Sequence, residues 1–129
     1  MTDRPKPADM LCQLRERKIT TVFLPPTVIY MMLDQLGSSQ AELPTLRRLI
    51  YGAGPMRPTE IERAQRTFGP VIASTYGQTE APQIATYIGP EDLLHSSRRT
   101  SVGRSTLLTR VEVMNVDGEV LPPGQAGEL

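Results

Sequence analysis

The chain has 129 residues, and its 14 lysines and arginines are balanced by 14 aspartates and glutamates. This length supports one domain with a modest core, and the balanced charge gives no electrostatic reason to expect a nucleic-acid partner or an anionic membrane surface. No apolar run approaches the roughly 20 residues of a membrane-spanning helix, and the first residues lack the apolar core of a signal peptide. We therefore expect no transmembrane segment.

The single cysteine, Cys12, cannot form an internal disulfide. This favours a reducing, cytoplasmic location. Cys12 occupies an apolar-looking position in a predicted helix over residues 7–18, where Pro7 is a good first residue. We expect it to be a buried structural thiol.

Strand and helix signals alternate through the first half of the chain. A short buried strand is predicted at residues 20–24, and Thr27 is predicted to cap a largely apolar helix over residues 28–36. Further elements follow in the same alternation, as a strand at 48–51, a helix at 58–68 and a strand at 71–75. This rhythm is typical of crossover units on a parallel sheet, so the predicted class is α/β, with a parallel βαβαβ layer.

The sequence pattern changes in the second half of the chain. Residues 91–94 favour a helical turn, and residues 96–100 favour a polar surface loop in which Arg98 and Arg99 are exposed charges. Apolar and polar residues alternate from residue 111, and Asp117-Gly118 predicts a two-residue hairpin turn. We therefore expect an antiparallel β-hairpin after the parallel layer.

A further strand begins at residues 127–129, where the sequence ends, so no partner for it is apparent. We expect the chain to be an internal piece of a longer polypeptide. Apolar surface and strand edges normally covered by the rest would then be exposed, and we expect the piece to self-associate.

Two stretches combine an apolar, β-prone run with glycine, namely residues 49–56 and 74–80. Loops at the carboxyl ends of parallel strands are where ligands bind, and glycine lets the backbone approach a ligand closely. Thr79 and Glu80 add a hydroxyl and a carboxylate at the same edge. The two stretches together predict half of a nucleotide pocket.

The stretch Tyr76-Gly-Gln-Thr-Glu80 resembles a signature of the adenylate-forming, or AMP-binding, superfamily. This superfamily includes acyl-CoA synthetases (fatty acid–CoA ligases), firefly luciferases and adenylation domains of peptide synthetases. Residues 20–27, 46–56, 101–104 and 111–129 are similar to further family segments in the same order. The resemblance implies that residues 1–100 are an α/β segment of the large N-terminal domain, and that residues 101–129 begin its β-barrel subdomain.

The resemblance also implies an activity. A carboxylic acid, here a fatty acid, would react with ATP in the presence of Mg²⁺ to give an acyl-adenylate, which passes to coenzyme A. Tyr76 would cover the adenine, with Ala53, Gly54 and Pro55 on its other side. Gly77 and Gln78 would shape the turn that follows.

Thr79 and Glu80 are the residues that the resemblance implicates in catalysis. Thr79 would bind phosphate oxygens, and Glu80 would bind Mg²⁺, which prefers hard oxygen ligands. The family's lysine-bearing phosphate loop and its ribose-binding aspartate do not occur in this sequence, so we expect the 129-residue piece alone to be inactive. Two alternatives remain: adenylation of an amino or aryl acid for a carrier protein, and a non-catalytic nucleotide-binding homologue.

Overall fold

The computed structural model describes residues 6–81 and 84–129. In this part of the chain one five-stranded sheet is flanked by helices. The helices are α1 (Pro7–Glu16), α2 (Pro26–Leu36), α3 (Pro58–Phe68) and α4 (Pro90–Leu93), followed by a 3₁₀ turn at Ser96–Arg98. The strands are β1 (Thr21–Leu24), β2 (Arg48–Tyr51), β3 (Ile72–Tyr76), β4 (Thr86–Ile88) and β5 (Arg104–Ser105).

Proline marks the start of every α-helix described. Each of the four helices has proline in its first turn, and none of the residues at the N-cap makes a side-chain capping bond. Proline suits this position because its φ is already helical and its missing N–H would have had no partner there. The prediction that Thr27 caps α2 is therefore wrong, since the helix already begins at Pro26.

The strands lie in the sheet in the order in which they occur in the chain. Strands β1, β2 and β3 are parallel to their neighbours, which confirms the predicted parallel βαβαβ layer. Strand β4 then runs antiparallel to β3, and β5 antiparallel to β4. These two short strands were not predicted, and they extend the sheet beyond the parallel layer.

Both crossover helices pack on one face of the sheet. The register aligns Leu49 with Ile72, and both side chains are fully buried in the core shared with α2 and α3. On the other face Phe23, Ile50 and Ala73 are aligned, and the Phe23 side chain is 55% exposed. Crossovers of one hand that step in one direction put their helices on the same side. The other face is open at Phe23 in β1, whereas Ala73 in β3 is fully buried.

The core is formed by buried residues of α1 to α4, of the inner sheet face and of the two connections that flank β2. Its members are Leu14, Leu24, Ile29, Met32, Leu33, Leu43, Leu46, Leu49, Tyr51, Met56, Ile61, Ala64, Phe68, Ile72, Ile88 and Leu93. Helix α2 buries Ile29, Met32 and Leu33, whereas Met31 points outward and is 42% exposed. The helix is therefore covered on one face and open on the other.

Cys12 is exposed, so the prediction of a buried thiol is wrong. Met10 and Leu14 lie on the face of α1 that meets the core. Cys12 is two residues from each of them, and two residues correspond to roughly 200° around an α-helix. It therefore lies on the solvent side.

The hairpin after residue 110 is present, but its turn differs from the predicted one. Met114 bridges Val120, and the Gly118 N–H donates to the Asn115 carbonyl at 3.1 Å. The central turn residues are thus 116 and 117, and Gly118 follows them with φ of +79°. This is a three-residue loop with a left-handed glycine rather than a two-residue Asp-Gly turn. The Asn115 side chain stabilises it by accepting from the backbone N–H groups of Asp117 and Glu119.

Within the described residues, no helix has the length and apolar character needed to cross a membrane.

Candidate functional site

The two glycine-containing loops meet at one cavity of about 580 Å³ at the carboxyl ends of β2 and β3. This volume falls in the range of small-molecule sites. Its lining residues come from three segments of the chain, and they are Tyr51, Ala53, Gly54, Pro55, Met56, Ser74, Thr75, Tyr76, Gly77, Arg99, Thr100, Ser101 and Val102. Five residues of the predicted adenine site are therefore brought together: Ala53, Gly54, Pro55, Tyr76 and Gly77. Their role as adenine contacts remains a prediction.

The chain leaves β2 through a crowded turn. A Cβ on Gly52 would lie 2.9 Å from ring atoms of Phe23 and from Thr75 Oγ1, so this position is sterically restricted. Ala53 has φ of +61°, a left-handed conformation that is uncommon for a residue with a side chain. A Cβ on Gly54 would meet only Pro26, at 3.8 Å. Packing within the described residues therefore does not require glycine at position 54.

Two hydroxyl groups lie on the inner wall of the cavity. Tyr51 ends β2 and is aligned with Ser74 of β3. Burial raises the pKa of the Tyr51 phenol, and a hydrogen bond with Ser74 offsets only part of this shift. Tyr51 is therefore neutral at physiological pH and can donate a hydrogen bond. This pair was not predicted from the sequence, although Tyr51 directly precedes Gly52 and its side could have been found from the strand register.

Tyr76 ends β3, is partly buried and accepts a hydrogen bond from the Gln78 side-chain amide. The chain then turns, with reciprocal backbone hydrogen bonds of 3.3 and 3.2 Å between Gln78 and Ala81. Thr79 and Glu80 form the tip of this turn and are both exposed. Gln78 thus contacts both Tyr76 and Ala81 in this turn, and the hydroxyl and carboxylate at its tip are exposed.

Glu80 lies beside a second cavity, of about 620 Å³. Tyr76 and Gln78 line this cavity as well, and its remaining walls come largely from the hairpin region, including Arg110 and Glu112. Tyr76 thus borders both cavities. Thr79 lines neither of them.

The third wall of the first cavity was missed. Residues 99–102 follow the 3₁₀ turn and line the cavity together with the two glycine loops. Arg98 is exposed, as predicted, and it pairs with Asp92. The prediction that Arg99 is an exposed charge is wrong, because its side chain is only 14% exposed and its guanidinium pairs with Glu62 at 3.1 Å. The α3 side chains that Arg99 contacts, Glu62 and Gln65, are 37 and 34 residues away in the sequence, so local composition did not reveal these contacts.

The donor set at the turn suits a magnesium ion that is shared with phosphates. In residues 6–81 and 84–129 there is no group of three or more His, Cys, Asp or Glu side chains that could hold a metal alone. Mg²⁺ beside a nucleotide usually takes one or two protein carboxylates and completes its shell with phosphate oxygens and water. A single exposed carboxylate at Glu80, beside the hydroxyl of Thr79, fits that arrangement.

Comparison with known proteins identifies the family. The family model described as "AMP-binding enzyme" matches residues 1–129. The medium/long-chain fatty-acid–CoA ligase FadD8 of Mycobacterium tuberculosis is 38% identical over 124 residues, which cover 95% of this chain and 21% of that protein. The fatty acid–[acyl-carrier-protein] ligase ScoC of Streptomyces coeruleorubidus is 29% identical over 117 residues, covering 90% of this chain and 22% of that protein.

The fold is also found in solved structures. The amide bond synthetase McbA from Marinactinospora thermotolerans superposes with a TM-score of 0.88 at 28% identity, over 98% of this chain and 26% of that chain. The chain spans about one fifth of the length of the two curated relatives, at 21% and 22%. The family match covers every residue, and the chain belongs to the AMP-binding enzyme family.

Proposed function

We propose that the full-length protein containing this chain is an ATP-dependent acid–thiol ligase that activates a fatty acid and transfers it to coenzyme A. The observation that supports this most is the convergence of both glycine loops on one cavity at the carboxyl edge of the sheet. Similarity to a medium/long-chain fatty-acid–CoA ligase supports the choice of acid and acceptor.

In this proposal the nucleotide base occupies the 580 Å³ cavity. Tyr76 covers one side of the adenine, and the backbone of Ala53, Gly54 and Pro55 lies along the other. This suits a flat, apolar purine, because an aromatic ring and a side-chain-poor backbone can both approach it closely. Gly77 continues the wall, and the neutral phenol of Tyr51 offers a hydrogen bond from the inner side.

The triphosphate would then extend toward the turn formed by residues 78–81. Gln78 fixes the turn against Tyr76, the Thr79 hydroxyl donates to phosphate oxygens, and Glu80 supplies one oxygen ligand to Mg²⁺. Magnesium bound there would reduce the charge of the phosphates while the substrate carboxylate attacks the α-phosphorus. The protein's own contribution is to position the reactants and to stabilise charge.

The decisive experiment is carboxylate-dependent ATP–pyrophosphate exchange by the full-length protein. Short, medium, long and aromatic acids are compared, and Glu80→Ala is tested beside Glu91→Ala, which removes an exposed carboxylate of α4 outside both cavities. We expect exchange with fatty acids. Glu80→Ala should lower the exchange rate by about 100-fold or more, because it removes a group that stabilises transition-state charge. Glu91→Ala should leave the exchange rate unchanged. A folded protein that binds ATP but exchanges with no acid would instead be a non-catalytic nucleotide-binding homologue.

The acceptor is the second question, since a carrier-protein ligase and an amide bond synthetase are among the similar proteins. Adenylate formation can be measured without any acceptor by trapping with hydroxylamine. Coenzyme A, a carrier protein and an amine are then offered separately. Thioester formation with coenzyme A supports the proposal, whereas transfer to a carrier protein alone supports the adenylation-domain alternative, with an amino or aryl acid as the substrate to test next.

The proposal applies to the longer protein and not to the chain alone. We expect the isolated 129-residue chain to show no exchange, because it supplies only the adenine-side cavity and, beside the second cavity, one metal ligand in Glu80. We also propose a cytoplasmic protein that has no nucleic-acid partner, consistent with the balanced charge and single cysteine of this chain.

A further inference from the structure

One wall of the candidate nucleotide cavity is tied to the helix layer by a single, largely buried arginine. Residues 99–102, which we call the wall segment, line the cavity beside the two glycine loops. Arg99 begins this segment, and its side chain is 14% exposed. None of the roles proposed above involves this residue.

Each nitrogen of the Arg99 guanidinium donates a hydrogen bond. Nη1 contacts Glu62 Oε2 at 3.1 Å, Nη2 contacts Gln65 Oε1 at 3.2 Å, and Nε contacts the carbonyl oxygen of Leu93 at 3.3 Å. Glu62 and Gln65 belong to α3, and Leu93 ends α4. Because the guanidinium is planar and rigid, three simultaneous contacts fix both its position and its orientation.

The other end of the wall segment is attached to the sheet. The Thr86 hydroxyl donates to the carbonyl of Val102 at 2.5 Å. Gly103 lies so close to β4 that a Cβ there would be 2.1 Å from the carbonyl oxygen of Tyr87. Thr100 and Ser101 are exposed and span the distance between the two attachments. The wall therefore has one attachment to the helices and one to β4.

We propose that Arg99 is a positioning residue for the nucleotide cavity, because it holds the wall segment against α3 and α4. This inference rests on the proposed function, in which the cavity takes the nucleotide. Without the guanidinium the segment loses its direct side-chain contacts with α3 and α4, and the cavity loses a preorganised wall. Part of the binding free energy would then be used to order that wall.

The test measures AMP affinity by titration calorimetry, and the KM values for ATP and carboxylate, in the full-length protein. For Arg99→Met we expect AMP binding and the ATP KM each to worsen about tenfold, in line with the loss of charge-assisted hydrogen bonds, while the carboxylate KM stays within about twofold. Arg99→Lys keeps the positive charge but presents it as a single point rather than as a planar fork. Its AMP affinity should therefore lie between those of Arg99→Met and the wild type.

A matched control is available on the same helix. Arg66 contacts the other oxygen of Glu62 at 3.1 Å, is 69% exposed and does not line the cavity. Arg66→Met should leave the AMP affinity within about twofold of the wild type, because an exposed ion pair contributes little. A loss of affinity equal to that of Arg99→Met would overturn the inference.

Other outcomes also decide the question. A folded Arg99→Met protein that binds AMP as the wild type does would overturn the inference even if it melts at a lower temperature. If Arg99→Met does not fold, Thr86→Val releases the same segment at Val102, and an unchanged AMP affinity in that variant overturns the inference. A wild type that binds no nucleotide refutes the proposed function together with this inference, whereas a wild type that binds AMP no better than the variants refutes this inference alone.

Discussion

Tyr76 borders both cavities, because it lines the candidate nucleotide cavity and also the cavity beside Glu80. Stacking of a base on an aromatic ring contributes about 1–3 kcal/mol. We therefore expect Tyr76→Ala to weaken AMP binding by about tenfold or more. Tyr76→Phe keeps the ring and loses only the contact with Gln78, so its affinity should stay within about threefold of the wild type. Equal losses in both variants, measured by calorimetry, would contradict the stacking role.

Cys12 gives a prediction about pH. Its pKa is raised, first by a hydrogen bond with Glu16, then by partial desolvation and by the charge of that carboxylate. A raised pKa means that less thiolate is present at a given pH, and the thiolate is the reactive form. Alkylation of Cys12 by iodoacetamide at pH 8 should be slower than that of a free cysteine, and its rate should rise toward higher pH.

Glu16→Gln is the corresponding variant, because it removes the carboxylate while keeping the size of the side chain. We expect faster alkylation at pH 8 in this variant and a rate profile shifted to lower pH. An unchanged profile would mean that the carboxylate does not control the thiol.

The residues that sequence reasoning located correctly are those whose role depends on near neighbours. Glycine and proline at the ends of β2 and β3 predicted the two loops, and those loops do meet. Arg99 was misassigned because its environment is created by α3, more than 30 residues earlier in the chain. Cys12 was misassigned because an apolar neighbourhood in sequence does not show which side of a helix a residue occupies.

At the scale of elements, the long periodic segments were predictable and the short strands were not. The fully buried Ile61 and Ala64 show the helical spacing of α3 directly in the sequence. Strand β4 has three residues and β5 has two, which is too short for any alternation to be recognised. Strand β4 pairs with the edge of β3, and β5 pairs with β4, and that information is not local.

Substitution of Gly103 measures how tightly the segment before β5 packs against the sheet. It has φ of +90°, and a Cβ would lie 2.1 Å from the Tyr87 carbonyl oxygen, which is backbone and cannot rotate away. Gly103→Ala should therefore reduce the free energy of unfolding by about 3 kcal/mol or more, from the left-handed conformation and the clash together. Gly118 is a matched control, since its φ is +79° with no atom within 4 Å of a Cβ. Gly118→Ala should cost only about 1–2 kcal/mol.

Urea unfolding of both variants beside the wild type measures the difference. Equal losses of stability would show that the clash at Gly103 is relieved by movement of the segment. In that case AMP affinity should fall in Gly103→Ala, because this glycine directly follows the wall segment.

At the scale of the whole molecule, the chain exposes more area than a compact monomer of its size. The chain exposes 9098 Å². A compact monomer of this mass exposes about 6800 Å². The excess of about 2300 Å² is larger than the roughly 800 Å² that each partner buries in a typical complex. This surface includes Phe23 on the open face and the fully exposed Leu107 and Leu108 beside β5.

We therefore expect the isolated chain to self-associate at tens of micromolar in sedimentation velocity, with contacts at the β5 edge. Changing Leu107 and Leu108 together to Asp should shift the population toward monomer, because buried charge without a partner is unfavourable. Val116→Asp serves as the control, since Val116 is also 94% exposed but lies at the tip of the hairpin. A clean monomer of the unchanged chain would contradict the expectation.

The order of the strands in the sheet, which repeats their order in the chain, has a consequence for synthesis. A polypeptide leaves the ribosome from its amino end, so each strand from β2 to β5 emerges when its partner is already available. Pairing requires only the closure of the connection just made, and short connections close at little entropic cost. The sheet can grow at one edge while translation continues, and the ends of β2 and β3, from which both glycine loops leave, lie side by side as soon as these two strands have paired.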